Sequence, residues 1–209
     1  MLTPDDIQKI LHETETIRTN GHYVGQSGVH YSAYIDKYRI NMHPDKLALL
    51  AEDIASQCKT IYSKIDVIAS PALGAVPLGN LVAYYLYKVG FSPISLIVDK
   101  KGNILPHDKD AITNKKVLVI EDTLNTGESA LKAIKAVKNA KGDVIGLFAL
   151  CNRGNVKAAD VHVPQLNALV DLDLPRWSPE NCPLCKEKIS INTEVGHGKE
   201  FIEKHAKAS

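Results

Sequence analysis

Residues Val117 to Ala130 read VLVIEDTLNTGESA, and the order of residue types in that stretch decides the fold. Val117 to Ile120 are apolar without a break, a run too short for a helix and matched to a strand covered on both faces. Two carboxylates follow, Glu121 and Asp122, then a turn of hydroxyls and amide around Gly127, then Leu131, Ile134 and Val137 at helical spacing. At a strand-to-helix turn the backbone N–H groups and hydroxyls converge, and the helix dipole adds positive character, so a phosphate fits there. Asn125 followed three residues later by Glu128 also satisfies a capping box, which needs no ligand. Two adjacent exposed carboxylates at a strand end repel each other unless sugar hydroxyls or a hydrated divalent cation occupy them, which favours a phosphorylated sugar. The Gly-Lys-Ser/Thr ending of a Walker loop is missing.

Outward from this unit the pattern repeats. IDVIA from Ile65, PISLIV from Pro93, VIGLFAL from Val144 and a weaker NALVDL from Asn167 read as further strands, with helices near Pro77 to Val89 and Gly127 to Ala140. Strands alternating with amphipathic helices predict an α/β fold, a doubly wound, mainly parallel sheet of about five strands. Its ligands belong in the loops after the strands. Before it, Thr3-Pro4 offers an N-cap and first-turn proline to a helix carrying Ile7, Ile10, Leu11, Thr14 and Ile17. Residues 20–40 mix glycine with tyrosine and predict short strands of a small cap, and Pro44 opens a helix over Leu47, Leu50, Ile54 and Cys58. The expected segments are a helix and cap over 1–62, a core over 63–174 and a tail over 175–209.

Twenty-five basic and 24 acidic side chains leave a formal charge of +1 in 209 residues, which disfavours a bulk electrostatic grip on nucleic acid or anionic lipid. The longest apolar run, Leu81 to Tyr87, is far below the ~18 residues that span a bilayer. The acidic start MLTPDDIQKI is unlike a signal peptide, so a cytoplasmic location is expected. Of four cysteines, Cys58 and Cys151 lie in apolar stretches and read as core. Cys182-Pro-Leu-Cys185 has a spacing suited to zinc or to a redox pair, yet a closed zinc site wants four ligands and only His197 and His205 lie nearby, irregularly spaced. A local turn is the expected role, and no metal-ligand set is assigned.

VLVIEDTLNTGESA resembles the 5-phosphoribosyl 1-diphosphate (PRPP) motif of type I phosphoribosyltransferases, and SGVHYSAYIDK, SPALGAVPL and CNRGN extend the likeness toward the orotate enzymes over about Gly21 to Leu174. A Trp followed by a Cys-Pro-Leu-Cys tail, as in Trp177 through Cys185, is also similar to bacterial members. The resemblance implies that Glu121 and Asp122 hydrogen-bond the ribose hydroxyls, while Thr123, Leu124, Asn125, Thr126, Gly127, Glu128 and Ser129 cradle the 5-phosphate. It implies that Pro71, Ala72, Leu73 and Gly74 hold the diphosphate, often through a non-proline cis peptide. The polar stretch from Asp99 to Asn114 would be a basic lid, with Lys100, Lys101 and His107 placing positive charge on the leaving diphosphate. Arg153, Asn125, Tyr34 and Ile35 would meet the base; His30 and Lys37 match family positions without a local role.

Departures weaken the choice of base. Gln26 and Val29 stand where many orotate enzymes carry lysine and arginine, Gly74 where some carry lysine, Asp99 where an arginine precedes the lid lysine, and Asn125 where a threonine meets the base. The implied activity is Mg²⁺-dependent transfer of phosphoribose from PRPP to a base, orotate first, in a homodimer with shared active sites, with neither nucleic acid nor membrane as partner. Another pyrimidine or purine base, or a PRPP-binding regulator that does not react, are the alternatives; no helix-turn-helix precedes the domain to favour the regulator.

Overall fold

The structure is a computed structural model and describes residues 1–25, 27–172 and 174–206. The chain divides into two units, Met1–Ile10 with Lys37–Leu172, and Leu11–Asp36 with Asp173–Ser209. This differs from the three expected segments: the cap and the tail share one unit, while α2 and α3, expected with the cap, join the larger one. The reason lies in α3, which buries Leu47, Leu50, Ala51, Ile54 and Cys58 and packs on α4.

The chain opens with α1 (Pro4–Glu13), capped as expected: the Thr3 hydroxyl accepts from the Asp6 N–H at 3.2 Å, and Asp6 Oδ2 accepts from the Thr3 N–H at 3.0 Å. Thr14 and Ile17, read as helical, fall beyond its end. The smaller unit then builds two antiparallel sheets. β1 (Ile17–Arg18) pairs with β4 (Tyr34–Ile35), and β3 (His30–Tyr31) lies between β2 (Tyr23–Val24) and β10 (Arg176–Trp177). Its remaining helices are a 3₁₀ turn at Pro179–Asn181, α7 (Pro183–Lys186) and α8 (Gly198–Ala206).

In the larger unit, α2 (Lys37–Asn41) and α3 (Pro44–Ile61) lead to β5 (Val67–Pro71), α4 (Val76–Lys88) and β6 (Ile94–Val98). A 3₁₀ turn (Pro106–Asp108) and α5 (Lys109–Ile112) precede β7 (Lys116–Leu124), α6 (Glu128–Asn139), β8 (Asp143–Asn152) and β9 (Leu166–Asp171). All five strands are parallel, in the order β6-β5-β7-β8-β9. The apolar runs of β5, β7 and β8 are nearly continuous because both faces are covered there, whereas the edge strand β6 leaves Ile94 and Ile97 about half exposed. Val67, Ala69, Val117, Val119, Leu147 and Ala149 join the core beside α6, with Ala133, Ile134 and Val137. Their neighbours Ile68, Leu118, Ile120 and Phe148 alternate to the other face and are fully buried too. From β5 the chain winds outward to β6, and from β7 outward the other way to β8 and β9. The seam between β5 and β7 is therefore the topological switch point, where parallel sheets open a crevice at their carboxyl ends.

Candidate active site

Three loops leave the sheet at that seam and beside it. The first follows β5. Its Ala72-Leu73 peptide is cis, as the resemblance implies, and the Ala72 N–H donates to the Val98 carbonyl at 2.8 Å. Asn41 Nδ2 donates to the Gly74 carbonyl at 3.2 Å. A Cβ on Gly74 would stand 1.8 Å from Asp122 Oδ2, so no side chain, lysine included, fits at this position as the loop is built.

The second loop follows β7. That strand runs past the expected Ile120 to Leu124, because β8 continues beside it and pairs Glu121 with Ala149 and Thr123 with Cys151. Glu121 and Asp122 are therefore buried, 4% and 3% exposed, and not the exposed pair read from the sequence. Glu121 Oε1 accepts from the Asp122 N–H at 3.1 Å, and Asp122 Oδ1 from the Thr123 N–H at 2.5 Å. The second oxygens, Glu121 Oε2 and Asp122 Oδ2, are buried without a hydrogen bond among the described residues. Asp122 Oδ2 instead faces Lys37 Nζ at 3.5 Å. Burial, then the charge of Asp122, pushes the Glu121 carboxyl well above its usual range. Burial opposes the Lys37 ammonium, but Asp122, with Glu121 behind it, outweighs this and raises its pKa. An oxygen buried without a partner costs free energy unless a ligand supplies donors, which ribose hydroxyls do.

A pH prediction follows. In the ligand-free protein Glu121 holds its proton to a higher pH than in the unfolded chain, where a glutamate titrates near 4.3. The folded state thus binds more protons above that value, and stability falls as pH rises through the raised pKa. Glu121→Gln is expected to flatten this part of the thermal-midpoint profile against pH. An identical slope in the variant would mean that the proton sits elsewhere.

Beyond the carboxylates, Gly127 adopts φ 77°, and a Cβ there would meet Val161 at 2.8 Å, so glycine is required twice over. The capping-box alternative does not form: Glu128 pairs with Lys132 at 2.7 Å, and the Glu128 N–H donates to the Thr126 hydroxyl at 3.4 Å rather than to Asn125.

The third loop follows β8. Buried Asn152 locks it, donating to the Val156 carbonyl at 3.1 Å and accepting from its N–H at 3.0 Å. The N–H groups of Arg153 and Gly154 both donate to the Leu124 carbonyl, at 2.9 and 3.1 Å, and a Cβ on Gly154 would meet the Asn125 carbonyl oxygen at 1.6 Å. Arg153 and Asn125 are thereby neighbours.

Within the expected lid, Ile104 and Ile112 are buried in the core. Asp99, where an arginine was expected, organises its first turn: Oδ1 accepts from the N–H groups of Lys101 and Asn103, each at 2.8 Å. That turn presents Lys100 to a cleft of ≈ 340 Å³ lined also by Lys37, Tyr38, Pro71, Ala72, Leu73, Asp99, Ser129 and Lys132. Lys101 and His107 do not line it, and His107 is 3.5 Å from Asp108. Tyr34 and Ile35 lie in the smaller unit, where Tyr34 is 5.6 Å from Tyr23 and Ile35 is buried opposite Ile17. Gln26 lies outside the described residues. A hollow of ≈ 420 Å³ in the smaller unit, lined by Phe201 and His205 among others, has no carboxylate pair.

Buried paired carboxylates at the end of β7 thus stand beside the loop after β5 across a parallel-sheet seam. Residues 39–165 match the family described as the phosphoribosyl transferase domain. The chain belongs to that family. Among curated relatives of this phosphoribosyltransferase, orotate phosphoribosyltransferase of Nitratiruptor sp. is 30% identical over 194 residues, covering 87% of this chain and 94% of the relative. That of Thermotoga maritima is also 30% identical, covering 92% and 98%. A crystal structure of Mycobacterium tuberculosis orotate phosphoribosyltransferase with inorganic phosphate superposes with a TM-score of 0.64 at 25% identity, over 81% of this chain and 97% of that one. Among the residues lining the cleft of this phosphoribosyltransferase, Lys37, Tyr38 and Lys132 are those that sequence reading did not place. Lys37 had a matching position but no local signal, since its partner lies 85 residues away (122 − 37).

Proposed function

We propose that this chain transfers a phosphoribosyl group from PRPP to a ring nitrogen of orotate, giving orotidine 5'-phosphate and diphosphate. The observation that carries the reading is the buried pair Glu121 and Asp122, each with an oxygen lacking a hydrogen bond, at the seam between two loops of phosphate-binding type. Ribose hydroxyls donate to these oxygens, the 5-phosphate takes the N–H groups and hydroxyls of Thr123 through Ser129, and the diphosphate lies along Pro71 to Gly74. Lys100 stands over the cleft and stabilises charge on the leaving group. Arg153 meets the orotate carboxylate with its planar fork, beside Asn125.

Departure of diphosphate leaves a cationic anomeric centre, so the protein positions the two reactants, neutralises the leaving group and excludes water; no covalent nucleophile is needed. The hard, unpartnered oxygens of Glu121 and Asp122 fit a hydrated Mg²⁺, which they would hold through water and ribose oxygens. When bound, the ion adds positive charge to the diphosphate. We extend the reading to a homodimer with shared active sites and to a cytoplasmic location. No helix among the described residues is long and apolar enough to cross a membrane.

A diphosphate-release assay with PRPP, Mg²⁺ and a panel of bases tests the reading. Release that depends on orotate supports it. Release with a different base transfers the assignment to that base, and PRPP binding without release under any base identifies a regulator.

A further inference from the structure

The reaction makes no use of the tail cysteines, and the residues gathered around them are unusual. His22 Nε2 and His30 Nδ1 face each other at 2.8 Å; Cys182 Sγ is 3.6 Å from His22 Nε2, and Cys185 Sγ is 3.8 Å from His22 Nε2 and 3.3 Å from His30 Nδ1. All four donor atoms lie within 4.8 Å of one another. His22, His30 and Cys182 are at most 1% exposed, and Cys185 closes the cluster from the outside.

The geometry points to a structural zinc site formed by His22, His30, Cys182 and Cys185. Bond lengths of about 2.3 Å to sulfur and 2.0–2.1 Å to nitrogen in a tetrahedron put sulfur and nitrogen about 3.5 Å apart, which the sulfur–nitrogen distances here bracket. The two nitrogens would spread by about half an ångström on loading, toward the tetrahedral edge near 3.3 Å. One of the two imidazoles has its outer contact in place, while His30 Nε2 is buried without a hydrogen bond among the described residues. The Ile189 carbonyl lies 2.7 Å from His22 Nδ1, so the proton sits there and the Nε2 lone pair points into the cluster. Charge also balances: each thiol loses a proton on binding, so one Zn²⁺ with two thiolates and two neutral imidazoles is neutral overall and can be buried without a counter-ion. Four protein ligands leave no open position, which marks a structural and not a hydrolytic metal.

The site staples the ends of the smaller unit. His22 directly precedes β2, His30 lies on β3 opposite Trp177 of β10, and Cys182 is 160 residues from His22 in sequence. Two-residue strands and short helices bury little apolar surface by themselves, and such a unit gains most from a metal. His197 and His205, the histidines nearest the cysteines in sequence, are not in the cluster.

Metal analysis of the full chain, purified without chelator or histidine tag, should find about one zinc per chain, and a Cys182→Ser, Cys185→Ser variant should hold almost none. Should the variant fail to fold, the parent chain loaded with Co²⁺ should show a thiolate-to-cobalt charge-transfer band together with tetrahedral d–d bands. Chelation should lower the thermal midpoint by roughly 5 °C or more. A reduced chain that carries no zinc and takes up none, a cobalt spectrum without the thiolate band, or a Cys182–Cys185 disulfide persisting in reductant would overturn the assignment.

Discussion

Asp122→Ala is expected to lower kcat/KM for PRPP by about a thousandfold while leaving the thermal midpoint of the ligand-free protein unchanged or higher. In the proposed complex the carboxylate accepts from ribose hydroxyls, and charge-assisted hydrogen bonds contribute about 1.5–3 kcal/mol each. Losing two of them amounts to about 3–6 kcal/mol, or roughly two to four powers of ten in rate. Stability should move the other way. Asp122 is buried beside Glu121, helps push the Glu121 carboxyl up, and has an oxygen without a hydrogen bond, all of which cost the empty site free energy. Two contacts offset this: the Thr123 N–H donates to Asp122 Oδ1 at 2.5 Å, and Lys37 stands 3.5 Å from Oδ2 with a side chain that is 43% exposed and so partly screened. Steady-state kinetics and calorimetric PRPP titration, run beside a thermal melt, check both halves. An unchanged PRPP affinity would remove Asp122 from the donor site.

The second large effect separates the acceptor from the donor. Arg153→Ala should lower kcat/KM for orotate by about a hundredfold, the worth of a bidentate guanidinium–carboxylate contact, with PRPP affinity preserved. Gly154→Ala, one residue on, should instead weaken both substrates together, because its Cβ would meet the Asn125 carbonyl oxygen at 1.6 Å and displace the phosphate turn. Overpacking against backbone also costs about 1–3 kcal/mol of stability. Kinetics varying each substrate in turn distinguish the two variants. Equal orotate kinetics in Arg153→Ala and the parent would assign the base contact elsewhere.

Much of the larger unit was legible because its signals are local. The central runs in KVLVI and VIGLFAL are almost wholly apolar because both faces are covered, and that continuity survives in one dimension. The turn after β7 was legible for the same reason. What the sequence hid was pairing over distance. Glu121 and Asp122 read as exposed because nothing local shows that β8 runs on beside them to Asn152. Lys37 had no visible partner until the fold brought Asp122 to it, and Gly74 read as a lost lysine when its carbon has Asp122 against it. The cysteine pair's spacing was plain, but the histidines beside it, His22 and His30, come from the other end of the chain. In the polar stretch after Asp99 the burial of Ile104 and Ile112 left no periodic signal.

The Leu124 carbonyl, which accepts from both Arg153 and Gly154, has a thermodynamic corollary. One acceptor atom ties the turn after β7 to the loop after β8, so a shift of that turn is passed to the backbone of Arg153. In the proposed reaction the expected result is positive coupling between the two substrates, equal in both directions since linkage is reciprocal. A nucleotide bearing both moieties profits from that coupling in a single molecule, which favours ordered release with the nucleotide leaving last.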